Sequence, residues 1–274
     1  MSNQRPGAVD LLVSSEDSRV SCGDERCTAA QAVKFAEIEE SLRELRSGRM
    51  IVIADDEDRE NEGDLVIAAE MVTPEVINFM ATYARGLICL AMTGERLDQL
   101  ELGPMVLDNT ANLGTAFTVS IDARGRGITT GISSYDRAQT ILAAVDPRTL
   151  PEDLARPGHV FPLRSRLRGV LERRGQTEAS VDLARLSGLR HAAVICEIMN
   201  NNGSMARGSD LATFCSEYGL TMVTVAQLVR YRVETELSQP PGLHPSVAFG
   251  HGADWEKSLE EDKMHANSRT GDTR

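Results

Sequence analysis

Apolar residues recur at steps of three and four over Phe35, Ile38, Leu42 and Leu45, the spacing of one helix face, and Gly48 stands where a left-handed residue would close that helix. The pattern then shortens to that of buried strands. Residues 50–54 and 65–69 are apolar runs, and the stretch between them is almost wholly charged, which predicts a loop hanging at the end of a sheet. Thr73-Pro74-Glu75 combines a hydroxyl cap, a first-turn proline and an acid near the positive end of the helix dipole, and predicts a helix leading to Gly86. Residues 87–92 read as a buried strand and 117–121 as an alternating one. Residues 136–145 and 177–186 read as helices, the second ending before Gly188. The longest strand candidate is 191–199. A turn at 200–203, a helix near 209–218, a strand at 220–225 and a helix to Arg232 complete the series. Strands and helices alternate without a fixed repeat, so the chain is expected to build layered α and β structure rather than a solenoid or an all-β barrel.

Composition narrows the partners. Among 274 residues, 41 acids against 29 Lys and Arg give a formal charge of -12, a field that repels nucleic acid and anionic bilayers but still allows a small phosphorylated ligand held by a few arginines. No GxGxxG or GxxxxGK[ST] follows a strand, so neither a dinucleotide fold nor a P-loop is expected. Cys22, Cys27, Cys89, Cys196 and Cys215 are odd in number and scattered, which points to reduced thiols in the cytoplasm and away from a zinc site at Cys22 and Cys27. No long apolar core follows a basic start, and no window offers a membrane span. Residues 1–30 and 236–274 are polar and aperiodic and are expected to be flexible extensions of one domain over 31–235. Trp255 and His251 read as part of a mobile end.

Five constellations carry chemistry. DDEDRENEGD at 55–64 crowds seven acids around Arg59; acidic runs are commonly solvated, but one wedged between buried strands suits a hard divalent cation. The calcium-loop spacing is not matched, which excludes an EF-hand. ITTGISSYDR at 128–137 sets hydroxyls and amides at a helix start with Arg137 nearby, a candidate anion cradle. RPGHVFPLR at 156–164 reads as a rigid loop holding His159 between prolines, placed for proton transfer. ERRGQTEAS at 172–180 brings Arg173 and Arg174 to a helix start, a candidate phosphate clamp. Glu197, flanked by Ile195, Cys196, Ile198 and Met199, reads as a partly desolvated carboxyl with a raised pKa, fitted for proton traffic.

In this order, DDEDRENEGD, GLICLAMT, NTANLGTAFTVSID, GITTGISSYDRAQTI, RPGHVFPLR, GQTEASVDLARLSG and CEIMNNNGSMAR closely resemble the 3,4-dihydroxy-2-butanone 4-phosphate synthase family of riboflavin biosynthesis, over residues 33–232. The resemblance implies an α+β fold, three-layer α/β/α with a mixed sheet. It implies a cytoplasmic, homodimeric lyase whose active site lies near the subunit interface, and which, with Mg²⁺ or Mn²⁺, converts D-ribulose 5-phosphate to 3,4-dihydroxy-2-butanone 4-phosphate and formate. Carried over by motif, Glu60 binds the metal. Arg59, Asp64 and Thr130 contact the sugar phosphate, Arg173 and Thr177 hold its phosphate, and His159 and Glu197 transfer protons.

One departure stands out. The family's second metal ligand is a histidine, and this chain has Gln176 in its place; an amide oxygen still suits Mg²⁺ but is neutral and a poorer ligand for Mn²⁺, so metal affinity is expected to fall. Arg174 replaces a glycine beside it. Three readings follow: an ordinary synthase; a derived enzyme that handles a sugar phosphate without formate loss; and a non-catalytic paralogue, disfavoured because costly charges at Glu60, Asp64, His159 and Glu197 are kept. The polar segment after the domain lacks the paired cysteines of the GTP cyclohydrolase domain found in many members, so GTP opening is not expected.

Overall fold

Short apolar runs, most of them buried along their whole length, form seven strands in the computed structural model, which describes residues 35–56 and 58–237. They are β1 (Ile51–Ala54), β2 (Gly63–Ala68), β3 (Cys89–Thr93), β4 (Ile121–Ala123), β5 (Leu154–Ser165), β6 (Ala192–Glu197) and β7 (Thr221–Thr224). Their order in the sheet is β4-β5-β3-β6-β2-β1-β7. β1 runs antiparallel to β2 and parallel to β7, β6 runs antiparallel to both β2 and β3, and β5 runs parallel to β3 and antiparallel to β4. The sheet is therefore mixed.

Alternate residues of each strand enter opposite cores. Val52, Leu65, Ile67, Leu90, Val194 and Cys196 face α2 (Pro74–Phe79), α3 (Gly94–Gln99), α4 (Ser134–Val145) and α6 (Ser209–Tyr218). Ile51, Ile53, Val66, Cys89, Ala193 and Ile195 face α1 (Ile38–Arg46), α5 (Gln176–Leu186) and α7 (Val225–Leu237). This is the expected three-layer α/β/α arrangement. Tertiary packing holds the short helices: burial of Ile38, Leu42 and Leu45 contributes about 1.5–3 kcal/mol each, where nine isolated residues would not stay helical in water.

Several sequence expectations shift. The helix from Thr73 is capped by that hydroxyl, as expected, but gives way to a π turn at Met80–Ala84 and stops at left-handed Arg85, before Gly86. The strand expected from Leu87 starts at Cys89, because Leu87 is exposed. The expected 117–121 strand is displaced to Ile121–Ala123; Phe117 and Thr118 make only isolated bridges. The supposed loop at 156–164 lies within β5, which at 12 residues exceeds β6, the candidate for longest strand. Prolines disguise it: Pro162 lacks a donor, yet its carbonyl accepts the backbone N–H of Thr118. The final helix continues past Arg232 to Leu237. The segment 1–30, Cys22, Cys27, His251 and Trp255 lie outside the described residues.

Candidate functional site

The alternation that builds the core also gathers the carboxylates. Asp55 follows Ile53, Asp64 precedes Val66 and Glu197 follows Ile195, so all three continue the face covered by α5, at the end of the sheet where β1 leaves and β2 enters. Asp64 and Glu197 are direct partners in the β2–β6 ladder. Asp64 is 4% exposed; burial pushes its carboxyl well above the usual carboxylate range, and Glu197, Glu60, Glu62 and Asp55 push it the same way. Glu197, expected to be partly desolvated, is half-buried and accepts the Leu87 backbone N–H at 2.8 Å. The deeper carboxyl is Asp64, because β2 is flanked there on both sides, by Ile53 of β1 and by Glu197 of β6, whereas the β3–β6 ladder stops short of Glu197.

Arg59 ties the β1–β2 loop to α5. Its guanidinium pairs with Asp55 and with Glu60 (3.0 Å), and donates to the side-chain oxygen of Gln176 at 3.0 Å. Asp55, fully buried at its side chain, also accepts the Glu60 backbone N–H at 3.2 Å, while its Oδ1 is buried without a partner among the described residues. Burial raises the Glu60 carboxyl against the pull of Arg59. Three oxygen-bearing side chains thus already share one cationic centre, and one buried oxygen lacks a partner, so the donor set fits a hard divalent ion. Among the described residues no group of three His, Cys, Asp or Glu forms a cage. Mg²⁺ does not need one, since it usually keeps several waters and takes one or two carboxylates.

Gln176 and Thr177 occupy the first turn of α5, both buried, beyond Gly175 at the N-cap. Arg173 leads into that turn, held by Glu178 at 2.7 Å and donating to the Leu113 carbonyl at 3.1 Å. Arg174 is exposed. In the 128–137 segment Asp136, buried in α4, accepts from the Thr129 backbone and hydroxyl and from the Gly131 N–H, and Ser133 caps the helix. Those hydrogen bonds hold the Asp136 carboxyl below its usual range although burial opposes them. Arg137 sits on the opposite face of the sheet beside Cys196, its Nε buried and unpaired among the described residues. Thr130 is exposed on the loop before α4, next to Gly131, which abuts His159. His159 lies on β5, two residues before Phe161. Phe161 is the partner of Cys89, and Cys89 pairs on its other side with Ile195. Asp64, Glu197 and His159 therefore point to one face at one end of the sheet, with Glu197 and His159 two strands apart, about 10 Å.

Sequence reasoning missed three acids here. Asp55 is singled out from the acidic run only by burial, Glu178 only by its ion pair with Arg173, and Asp122 only by its contact with His159 (Nδ1···Oδ2 2.8 Å). Cys196 borders Glu197, but burial pushes its thiol up to about 12, so it is not a nucleophile near neutrality.

A family model described as 3,4-dihydroxy-2-butanone 4-phosphate synthase matches residues 39–231. Riboflavin biosynthesis protein RibBA of Aquifex aeolicus is 50% identical, over 87% of this chain and 64% of that protein. The 3,4-dihydroxy-2-butanone 4-phosphate synthase of Neisseria meningitidis serogroup B is 55% identical, over 73% of this chain and 54% of that protein. The chain thus spans about half to two-thirds of these relatives. A crystal structure of a 3,4-dihydroxy-2-butanone 4-phosphate synthase in complex with two magnesium ions superposes with a TM-score of 0.71 at 42% identity, covering 74% of this chain and 99% of the other.

Proposed function

Because the chain belongs to the 3,4-dihydroxy-2-butanone 4-phosphate synthase family, we propose that it is a lyase that converts D-ribulose 5-phosphate to 3,4-dihydroxy-2-butanone 4-phosphate and formate with Mg²⁺ or Mn²⁺. The observation that carries this reading is the pairing of buried Asp64 with Glu197 beside the oxygens of Asp55, Glu60 and Gln176. The two products together hold every atom of the substrate, so no oxidant or reductant is required.

In this reading Glu60 and Gln176 hold the ion, with Asp55 behind them. When bound, a divalent ion supplies positive charge to oxygen that turns negative as the sugar enolises. Arg173, Thr177 and Arg59 bind the phosphorylated sugar, and Asp64 and Thr130 orient it. Asp64 keeps its proton above the ordinary carboxylate range and serves as a donor, Glu197 takes the acceptor role across the strand pair, and His159 moves a second proton from the neighbouring side. A second reading, product formation without formate, rests on Gln176 and on its hydrogen bond to Arg59.

We place the chain in the cytoplasm as a homodimer. Its described cysteines, Cys89, Cys196 and Cys215, are free and buried, which suits a reducing compartment. No described helix is long and apolar enough to cross a membrane. Met105, Val106, Leu107 and Leu113 form an exposed apolar loop suited to a second copy. The deciding experiment incubates purified full-length protein with D-ribulose 5-phosphate and Mg²⁺ and measures formate. Formate release that is lost in Glu197→Gln supports the synthase; a phosphorylated product without formate selects the second reading; no turnover overturns both.

A further inference from the structure

His159 is built into a contact that its own sequence neighbourhood does not encode. β4 and β5 pair Ile121 with Val160 but Asp122 with Ala155, so residues 156–159 arch out opposite a single step of β4. The arch closes tightly. A Cβ on Gly158 would fall 2.0 Å from the Ile121 carbonyl carbon and 2.2 Å from the Asp122 nitrogen, so only glycine lets the two backbones approach this closely. The Gly158 N–H donates to the Ser120 hydroxyl at 3.1 Å, which fixes the height of the arch.

At its crest Asp122 engages His159 twice. Oδ1 accepts the His159 backbone N–H at 2.9 Å, and Oδ2 lies 2.8 Å from Nδ1 of the ring. Gly131, at φ +91°, presses on the same pair: a Cβ there would lie 2.2 Å from Asp122 Oδ2 and 2.5 Å from His159 Nδ1. The loop before α4 thus closes over the Nδ1 side. The imidazole side chain is still 44% exposed, and Nε2 has no partner among the described residues.

On the functional reading above, in which His159 transfers a proton, we propose that Asp122 is the positioning residue that holds the ring in its Nδ1–H tautomer and presents a bare Nε2 to the substrate. A carboxylate offers only acceptors, and one of its oxygens is committed to a backbone N–H that cannot change its role. The other oxygen can be satisfied by the ring only if Nδ1 carries the proton. Nε2 then keeps its lone pair and faces outward, the arrangement a proton acceptor needs. The Ile121/Asp122 bulge, Gly158 and Gly131 serve to bring this carboxylate and this ring to one place.

Asp122→Asn tests the assignment because it keeps the shape and removes one acceptor. The side-chain oxygen must still meet the His159 N–H, so the amide NH₂ faces Nδ1 and the ring should switch to Nε2–H. The tautomer is read from long-range ¹H–¹⁵N spectra of the full-length protein at a pH where the ring is neutral, with the His159 signals identified by their loss in His159→Gln. We expect Nδ1–H in the native chain, Nε2–H in Asp122→Asn, and a roughly 100-fold fall in kcat with KM within about twofold, inside the 10²–10⁴ that a placed proton-transfer group contributes. An Nε2–H ring in the native chain overturns the proposal before any variant is made. A variant that folds with unchanged tautomer, or that switches tautomer with unchanged kcat, overturns it too. A native chain that shows Nδ1–H but releases no formate overturns the reaction and with it the positioning role, and leaves only the pairing.

Discussion

At the scale of single residues, the acids of the site divide by what surrounds them. Asp64 has no cation of its own and is buried beside four other carboxyls, so its proton is held more tightly in the folded chain than in the unfolded one. A raised carboxyl favours folding below the unfolded value, and that advantage drains away as pH climbs toward the folded value. In metal-free protein Asp64→Asn should therefore raise Tm at pH 7 by at least about 2 °C, and by less at pH 4; scanning calorimetry at both pH values checks this. Turnover should vanish in the same variant. Gln176 carries the other residue-scale prediction. Exchange for histidine removes the oxygen that Arg59 now holds and offers an imidazole to the metal, so Gln176→His should bind Mn²⁺ roughly tenfold more tightly by titration calorimetry. Glu60 and Gln176 could be picked out in the sequence because motif position marks them. Asp122 could not, since its partner lies 37 residues away across a bulge, and no local pattern announces that meeting.

Among elements, α5 matters most because its first turn brings Gln176 and Thr177 to the end of the sheet where the carboxylates gather. Its far half is clamped by α7. Arg232 donates to Asp182 at 2.8 Å, to the Arg168 carbonyl at 2.7 Å and to Glu236, which also meets Arg185 at 2.9 Å. Burial raises the Asp182 carboxyl even against Arg232, which marks the pair as desolvated. Arg232→Ala would strand a buried acid and should cost about 3–5 kcal/mol in urea unfolding. The helices α4 and α5 could be read from their periodicity, and the β1–β2 hairpin from two apolar runs around a charged loop. β5 could not: Arg156, Pro157, Gly158 and Pro162 carry the composition of a loop, and only the ladder to β3 reveals the strand. The strand at 121–123 was obscured for a related reason. Phe117 and Val119 supply the alternation, yet Phe117 and Thr118 make only isolated bridges, and pairing of β4 with β5 begins at Ile121.

For the molecule as a whole, the exposed loop and the site are joined through Arg173, which holds the Leu113 carbonyl. Leu107 is fully exposed near the middle of that loop. Leu107→Asp should weaken self-association at least tenfold by sedimentation velocity, equal to about 1.4 kcal/mol, and lower formate release in parallel. A related consequence follows from the guanidinium of Arg59, seated among Asp55, Glu60 and Gln176. It acts as a plug, so loading a divalent ion exchanges one positive charge for another instead of filling a void. Stripping with a chelator should then shift Tm by less than about 2 °C and leave amide exchange at 58–60 slow, because the ion adds little to a turn that already has its counter-charge.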